Sequence, residues 1–409
     1  MSDQPILFSL NIATLCIILF STHQLVLRAH GKQVYWPLAL CLMSIGVVNC
    51  MPSIQQLVPQ FQVFSLILSL PALLLIAPCL WLYTKGLTNQ VPWQLELRDS
   101  RHLVPAAFGG FIALVAFCLP TQYLHAVLVT EELSVVEKAP NLIRNIIYGL
   151  LISAFLSVLG WVLQSTWYAY KIVVRLRIYR TQLQDVFAST EQKELRWLNW
   201  LLIIVGGAWV FTAVNLVLDN LFSPIHYDAQ LYALMVFVVI YSLALWGLRQ
   251  KPGFAELYGS APCADTNAFE FVSVNEATDN KEQKYQRSAL STNQAANIAK
   301  KIAQAMKEDQ LYLDAALSLP KLAAHIHTSP NYISQTLNET LGVRFFDFVN
   351  KYRVIAAQEY LQTTDKTILD VAMAVGFNSK SAFYTAFKKH TDLTPSQYKK
   401  RHHAASTKV

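Results

Sequence analysis

Ten polar side chains near the C-terminal end have the types and spacing to bind an ordered polyanion. Asn331, Ser334, Gln335 and Asn338 recur at three- and four-residue intervals in NYISQTLNETLG, so a helix would carry them on one face. The amides of Asn and Gln hold a donor and an acceptor in one plane and can pair with two atoms of a base edge at once. Asn378, Lys380, Ser381, Tyr384, Thr385 and Lys388 form a second set within FNSKSAFYTAFKKH. Its two ammonium groups suit phosphate oxygens, which accept most hydrogen bonds between proteins and DNA. The plainer alternative for each set is a solvated helix face, and Tyr384 also suits a place over the core. No phosphate-cradling glycine loop, HExxH pair or nucleophile elbow occurs, so no enzyme and no cofactor is expected. The six cysteines form no CxxC or Cys/His cluster, and no metal site is expected either.

These faces need helices behind them. Ser318 stands where an N-cap would precede PKLAAHI, with Leu322, Ala323 and Ile326 on one side. A turn at His327–Thr328 leads to Ser329 as N-cap and Pro330 at the first helical position, where a missing N–H costs nothing. Ile333, Leu337 and Leu341 recur every four residues as the buried stripe, and Gly342 ends the helix. Phe345–Leu361 reads as a long helix, with Phe346, Val349, Val354, Ala357 and Leu361 available for packing; 17 residues span roughly 25 Å. Thr367 then caps ILDVAMAV, the chain turns at Gly376–Phe377, and a helix restarts at Asn378 or Ser379 with Phe383 and Phe387 as its stripe. Thr394–Pro395 opens a last short helix. The pattern is two helix-turn-helix units joined by one stiff helix, a spacing that suits successive major grooves roughly 34 Å apart.

The rest of the chain is a poor match for water. It is 54% hydrophobic and 14% charged, against about 45–50% and about 25% for soluble domains. Residues 1–251 carry 15 Lys/Arg and 11 Asp/Glu, residues 252–284 carry 2 and 6, and residues 285–409 carry 16 and 9. An apolar front, an acidic connector and a basic end follow, and the basic end fits a polyanion. The front contains seven apolar runs, near Ile6–Leu27, Val34–Met51, Phe61–Tyr83, Leu103–Leu119, Leu142–Tyr170, Trp197–Leu218 and Leu231–Leu248; crossing a bilayer takes roughly 20 such residues. Of its 15 Lys/Arg, all but Lys138 and Arg144 flank alternate ends of these runs. Because cytoplasmic loops retain Lys and Arg, the N-terminus is expected outside and the C-terminus in the cytoplasm. The first run follows no basic stretch and precedes no cleavage site, so it is read as a retained span. Asn215 and Asp219 lie four apart, on one face of the sixth run near its outer end, and are candidate ligand contacts; ordinary hydrogen bonding between helices is the plainer reading. Pro71 and Pro78 could kink the third run.

The last 110 or so residues resemble the DNA-binding domain of the AraC/XylS family of bacterial transcription regulators. The resemblance rests on SLPKLAAHIHTSPNYISQTLNETLG, on YRVIAAQEYL and on VGFNSKSAFYTAFKKHTDLTPSQYK, with its GF, F-x-x-x-F-K and TP-x-x-Y. The apolar front and the KYQRSAL lead-in at Lys284–Leu290 resemble the family's membrane-bound branch. Asp392 and Thr385 stand where members often have Gly and Arg. The resemblance implies an all-α protein with a seven-helix transmembrane bundle (1–251), a flexible acidic linker (252–284) and a cytoplasmic DNA-binding domain with two helix-turn-helix units (285–409). It further implies a one-component regulator in the bacterial inner membrane. The expected partners are double-stranded DNA and the lipid bilayer, with RNA polymerase, a second copy of the chain and an unidentified small-molecule or membrane signal beside them. Two other architectures fit the same pattern: a transporter or membrane enzyme fused to a regulator, and a regulator on an inert anchor.

Overall fold

The computed structural model describes residues 5–191, 193–204, 206–207, 229–254 and 290–406. Among the described residues the chain is helical, and strand pairing is limited to one isolated antiparallel bridge, Phe187 with Ser318. Backbone contacts divide the chain into two units, one of Met1–Leu176 with Leu195–Ala255, the other of Arg177–Glu194 with Glu256–Val409.

The first unit is built from α1 (Pro5–Ala29), α2 (Trp36–Asn49), α3 (Met51–Leu57), α4 (Gln62–Leu87), α5 (Val104–Phe117), α6 (Thr121–Leu128), α7 (Leu133–Glu137), the first part of α8 (Asn141–Val186) and α9 (Ala229–Arg249). Helix α1 packs on α2 and α9, α2 on α4, and α4 on α5. Among the described residues five helices are long and apolar enough to cross a membrane, or six if the bent pair α2–α3 counts as one. The break in that pair follows from Pro52, at the start of α3: proline has no N–H to donate and its ring crowds the preceding turn. Pro71 and Pro78, by contrast, lie inside one unbroken helix, α4. The second half of the expected sixth run with Asn215, and Asp219 just after it, lie outside the described residues, as do the connector after residue 254 and the lead-in up to residue 289.

The basic ends of these helices are tied down by hydrogen bonds. Arg28 donates to the Leu248 carbonyl, the Tyr35 hydroxyl to that of Gln250 at 3.0 Å, and Trp197 Nε1 to the Gln250 side chain at 3.1 Å. Lys85 pairs with the buried carboxylate of Asp99 at 2.7 Å. Such pairs matter where flanking chain must leave an apolar medium, because an unmatched buried charge is costly.

The second unit holds α10 (Thr292–Lys307), α11 (Leu319–His325), α12 (Pro330–Gln335), α13 (Phe345–Thr363), α14 (Ile368–Ala374), α15 (Lys380–Thr391) and α16 (Pro395–Ser406). Two cores sit along α13. Its Phe345 and Val349 join Ile302, Leu319, Leu322, Ile333 and Leu337 in the first. Its Val354, Ala357 and Leu361 join Val371, Phe377, Phe383 and Phe387 in the second. Helix α13 is thus the shared wall of both helix-turn-helix units, 19 residues and roughly 28 Å long. Two expectations need correction. Leu341 is 41% exposed, because Thr336–Thr340 form a π-turn whose extra residue rotates it off the stripe of Ile333 and Leu337. Phe345 rather than Phe346 fills the core.

Candidate nucleic-acid interface

Both helices of the second helix-turn-helix unit start from a built cap. Ser379 accepts from the Ala382 N–H at 3.2 Å to open α15, and Thr367 accepts from Asp370 N–H at 3.2 Å to open α14. Ser329 precedes α12 in extended conformation with Pro330 first in the helix, without a side-chain cap bond. The turn of the first unit passes through His327 at φ 52° and that of the second through Gly376 at φ 90°. Thr394 and Gln397 cap α16 reciprocally, Thr394 N–H to Gln397 Oε1 at 2.9 Å and Gln397 N–H to Thr394 Oγ1 at 3.3 Å.

With Ile333 and Leu337 fully inside, the opposite side of α12 and its π-turn presents Asn331, Ser334, Gln335 and Asn338 to solvent or half so. The structure therefore brings this set together on one face. Gln335 Nε2 donates to Glu339 at 2.8 Å and Asn338 Nδ2 to Ser334 Oγ at 3.4 Å. These are exposed contacts that exchange readily with water or with another acceptor. Glu339 is an acidic neighbour on a face otherwise suited to an anion.

On α15, Phe383 and Phe387 are fully buried, and Lys380, Ser381, Thr385 and Lys388 lie exposed on the outer side. Asn378 stands in the turn before the helix, where its amide donates to the Ala315 carbonyl at 3.3 Å. Tyr384 is the member whose place differs most. Its hydroxyl is 2.9 Å from Ser396 Oγ, its ring meets Phe383 edge-on, and Lys380 Nζ lies 5.5 Å from its centroid. Tyr384 braces α16 and fixes Lys380 in the same contact. The last turn of α15 carries Lys388, Lys389 and His390, where cations favour the helix C-terminus. Lys389 pairs with Asp347 at the start of α13 at 2.6 Å. Burial and the neighbouring Lys389 hold His390 below the usual histidine range. Among the described residues no group of three or more His, Cys, Asp or Glu is placed to hold a metal ion.

Asp392 closes α15 at φ 60°, in the left-handed region. There an L side chain crowds its own carbonyl, and aspartate tolerates this only in part. Asp392→Gly is expected to stabilise the second helix-turn-helix unit by about 0.5–1 kcal/mol. Slower hydrogen exchange of peptides covering residues 380–391 in the intact protein would show it.

The residue that sequence reasoning missed is Arg353. It is 0% exposed, and its guanidinium donates to the Tyr312 carbonyl at 2.8 Å, the Asp314 carbonyl at 2.9 Å and the Asn350 side chain at 3.2 Å. Phe377 lies 5.5 Å from its carbon. Burial draws it down to about 10, opposed by the charges of Glu191 and Asp314, so it remains cationic at neutral pH. The available signal was its spacing: Val349, Arg353, Ala357 and Leu361 fall every four residues on α13.

Comparison with known proteins covers this unit. A family model described as a helix-turn-helix domain matches residues 322–401. An uncharacterised HTH-type transcriptional regulator of Staphylococcus aureus is 35% identical over 108 residues, 26% of this chain and 14% of that protein. The melibiose operon regulatory protein of Escherichia coli is 32% identical over 87 residues, 21% of this chain and 29% of that protein. The chain thus spans less than a third of the length of these curated relatives. Among solved structures, the C-terminal domain of AraT, a response regulator from Geobacillus stearothermophilus, is 29% identical, covering 25% of this chain and 84% of that one at a TM-score of 0.23. The C-terminal part of this chain carries a helix-turn-helix domain of the AraC/XylS type, homologous to AraC-family regulators.

Proposed function

We propose that the chain is a membrane-embedded one-component transcription regulator: a seven-span front, N-terminus outside, senses a signal, and the C-terminal unit binds promoter DNA from the cytoplasm of a bacterium. The observation that carries this reading is the pairing of two helix-turn-helix units on one shared helix, α13, each leaving a polar face uncovered. The five to six helices among the described residues that are long and apolar enough to span a membrane, with basic residues massed at alternate ends, support the location. On this reading Asn331, Ser334, Gln335 and Asn338 contact base edges or phosphates in one major groove. Lys380, Ser381, Thr385 and Lys388 do so in the next, with Asn378 at its edge. The remaining partners are RNA polymerase, a second copy of the chain and the signal, for which Asn215 and Asp219 are the proposed contacts.

The test is selection of genomic fragments by the intact protein in detergent, repeated with Asn331→Ala/Gln335→Ala and with Lys380→Ala/Ser381→Ala. The wild type should enrich sites that footprint across two successive grooves. Each double variant should bind about tenfold or more weakly, given about 1–3 kcal/mol for a well-placed base contact. The lysine variant should also flatten the dependence of affinity on salt, by about one counterion for each phosphate no longer neutralised. Unchanged enrichment by both variants would remove the assignment at its strongest point.

A further inference from the structure

Residues 177–194 lie in sequence within the apolar front, yet they fold with the basic end. Helix α8 runs unbroken for 46 residues, roughly 69 Å, whereas a bilayer's hydrocarbon core is about 30 Å thick. Its last turns and the bend after it therefore have length to spare beyond a membrane. There the Ala188 N–H donates to the Leu317 carbonyl at 3.1 Å, next to the Phe187–Ser318 bridge. The Ala188 side chain, 1% exposed, is part of the first core with Ile302, Leu319 and Phe345. Arg353 Nη1 donates to the Ala188 carbonyl at 3.2 Å and to Ser189 Oγ at 3.1 Å. Arg344, just before α13, donates to Gln184 at 2.9 Å and faces Asp185 at 3.8 Å. The segment is closed on itself as well, by Tyr179 hydroxyl to the Lys193 carbonyl and by Thr190 to Glu194, both at 2.9 Å.

From these contacts we infer that residues 177–194 are a coupling element: the end of a membrane-crossing helix that docks on α13, the one helix shared by both DNA-reading units. A displacement of α8 is then passed to α13 through Ala188, Ser189 and the Arg344 pair. The docked segment leaves the DNA-facing residues uncovered, so it governs where and how the domain is presented and not whether its face is accessible. This inference rests on the proposed DNA-binding role.

The test compares the full chain with Ala188→Trp, which has no room in the core, and with Ala188→Ser as a near size match. Hydrogen exchange in lipid nanodiscs and promoter output in cells are the two readouts. Ala188→Trp should speed exchange in peptides covering 183–189 and 314–322 at least tenfold and leave 379–391 unchanged. Promoter output should shift by about fivefold or more, the lower end of ordinary allosteric coupling. Promoter output should shift by more than the affinity of the detergent-solubilised chain for a selected site does, because Ala188 shares the first core with Ile333 and Leu337 and overpacking there lowers affinity by itself; an output change equal to the affinity change would overturn the coupling. Ala188→Ser should behave as the wild type. In case tryptophan disturbs folding, Asp185→Arg and Arg344→Asp supply a second route: each alone should shift output, and together they should restore it. Wild-type exchange in Ala188→Trp, altered exchange with unaltered output, or a charge swap that restores nothing would each overturn the coupling. Failure of the wild-type chain to enrich any DNA is a separate result, which sinks the regulator reading itself and leaves no output to couple.

Discussion

Gly376→Ala should collapse the second helix-turn-helix unit while Gly342→Ala leaves the first largely intact. Both glycines have positive φ, 90° and 65°, so both substitutions place an L residue in a strained backbone region, at about 1–2 kcal/mol. Only one also meets a wall. A Cβ at Gly376 would lie 2.6 Å from the Tyr312 carbonyl oxygen and 2.8 Å from that of Leu313, whereas a Cβ at Gly342 meets nothing within 4 Å. The obstructing atoms are backbone, and the Tyr312 carbonyl is itself held by Arg353, so the neighbour cannot swing aside. Overpacking of this kind adds about 1–3 kcal/mol, for a total of about 2–5 kcal/mol at Gly376 and about 1–2 kcal/mol at Gly342. No tryptophan follows Trp246, so intrinsic fluorescence of the intact chain would not report the change. Exchange of peptides 368–391 would, together with loss of the second half of a DNA footprint. Equal effects at the two glycines would mean that φ alone decides and the packing argument is wrong.

What was legible in the sequence was what is local. Ser329, Thr367, Ser379, Thr394 and both turn glycines mark helix ends at the positions observed, because capping depends on residues within three or four positions of one another. The stripes Ile333–Leu337 and Phe383–Phe387 were readable for the same reason, and the core formed on them. Helix α10 was overlooked although Ser291 and Gln294 make its capping box, a signal present in the sequence. Leu341 was misplaced because a π-turn is set by tertiary contacts and leaves no mark in a four-residue repeat.

The apolar half shows the same division. Hydropathy marked the run Leu142–Tyr170, but the helix continues to Val186 through Lys171, Arg175, Arg177 and Arg180, where apolarity stops and helicity does not. Nothing between residues 171 and 194 indicates that Ala188 belongs in a core with Leu319 and Phe345. Its partners lie more than 110 residues downstream, beyond any window in which periodicity operates. A candidate site made of exposed polar residues on short helices could be read from spacing. A joint made of one small buried residue, three backbone carbonyls and one arginine could not.

That joint supplies the second large effect. Arg353→Met should destabilise the whole second unit by about 3–5 kcal/mol, the usual loss when one partner of a buried charged network is removed. Methionine matches the aliphatic length and packs well, and replacing buried ionic groups with apolar ones is sometimes neutral. Neutrality requires that both sides of the interaction be replaced. Here most of the acceptors are main-chain carbonyls of Tyr312, Asp314 and Ala188, which no side-chain substitution removes, and the charge of Glu191 is left without its counterpart. Arg353→Lys should fall between the two: the charge survives, but one ammonium cannot reproduce a planar fork that reaches several acceptors at once. The measurement is exchange in three regions of the intact chain, 183–189, 314–322 and 368–377. The arginine bonds the first two directly and lies against Phe377 in the third, so all three should open together in Arg353→Met. If only one region opened, the guanidinium would be a local brace. Concerted opening means that the segment ending α8, the turn before α11 and the turn of the second DNA-reading unit are held by a single side chain.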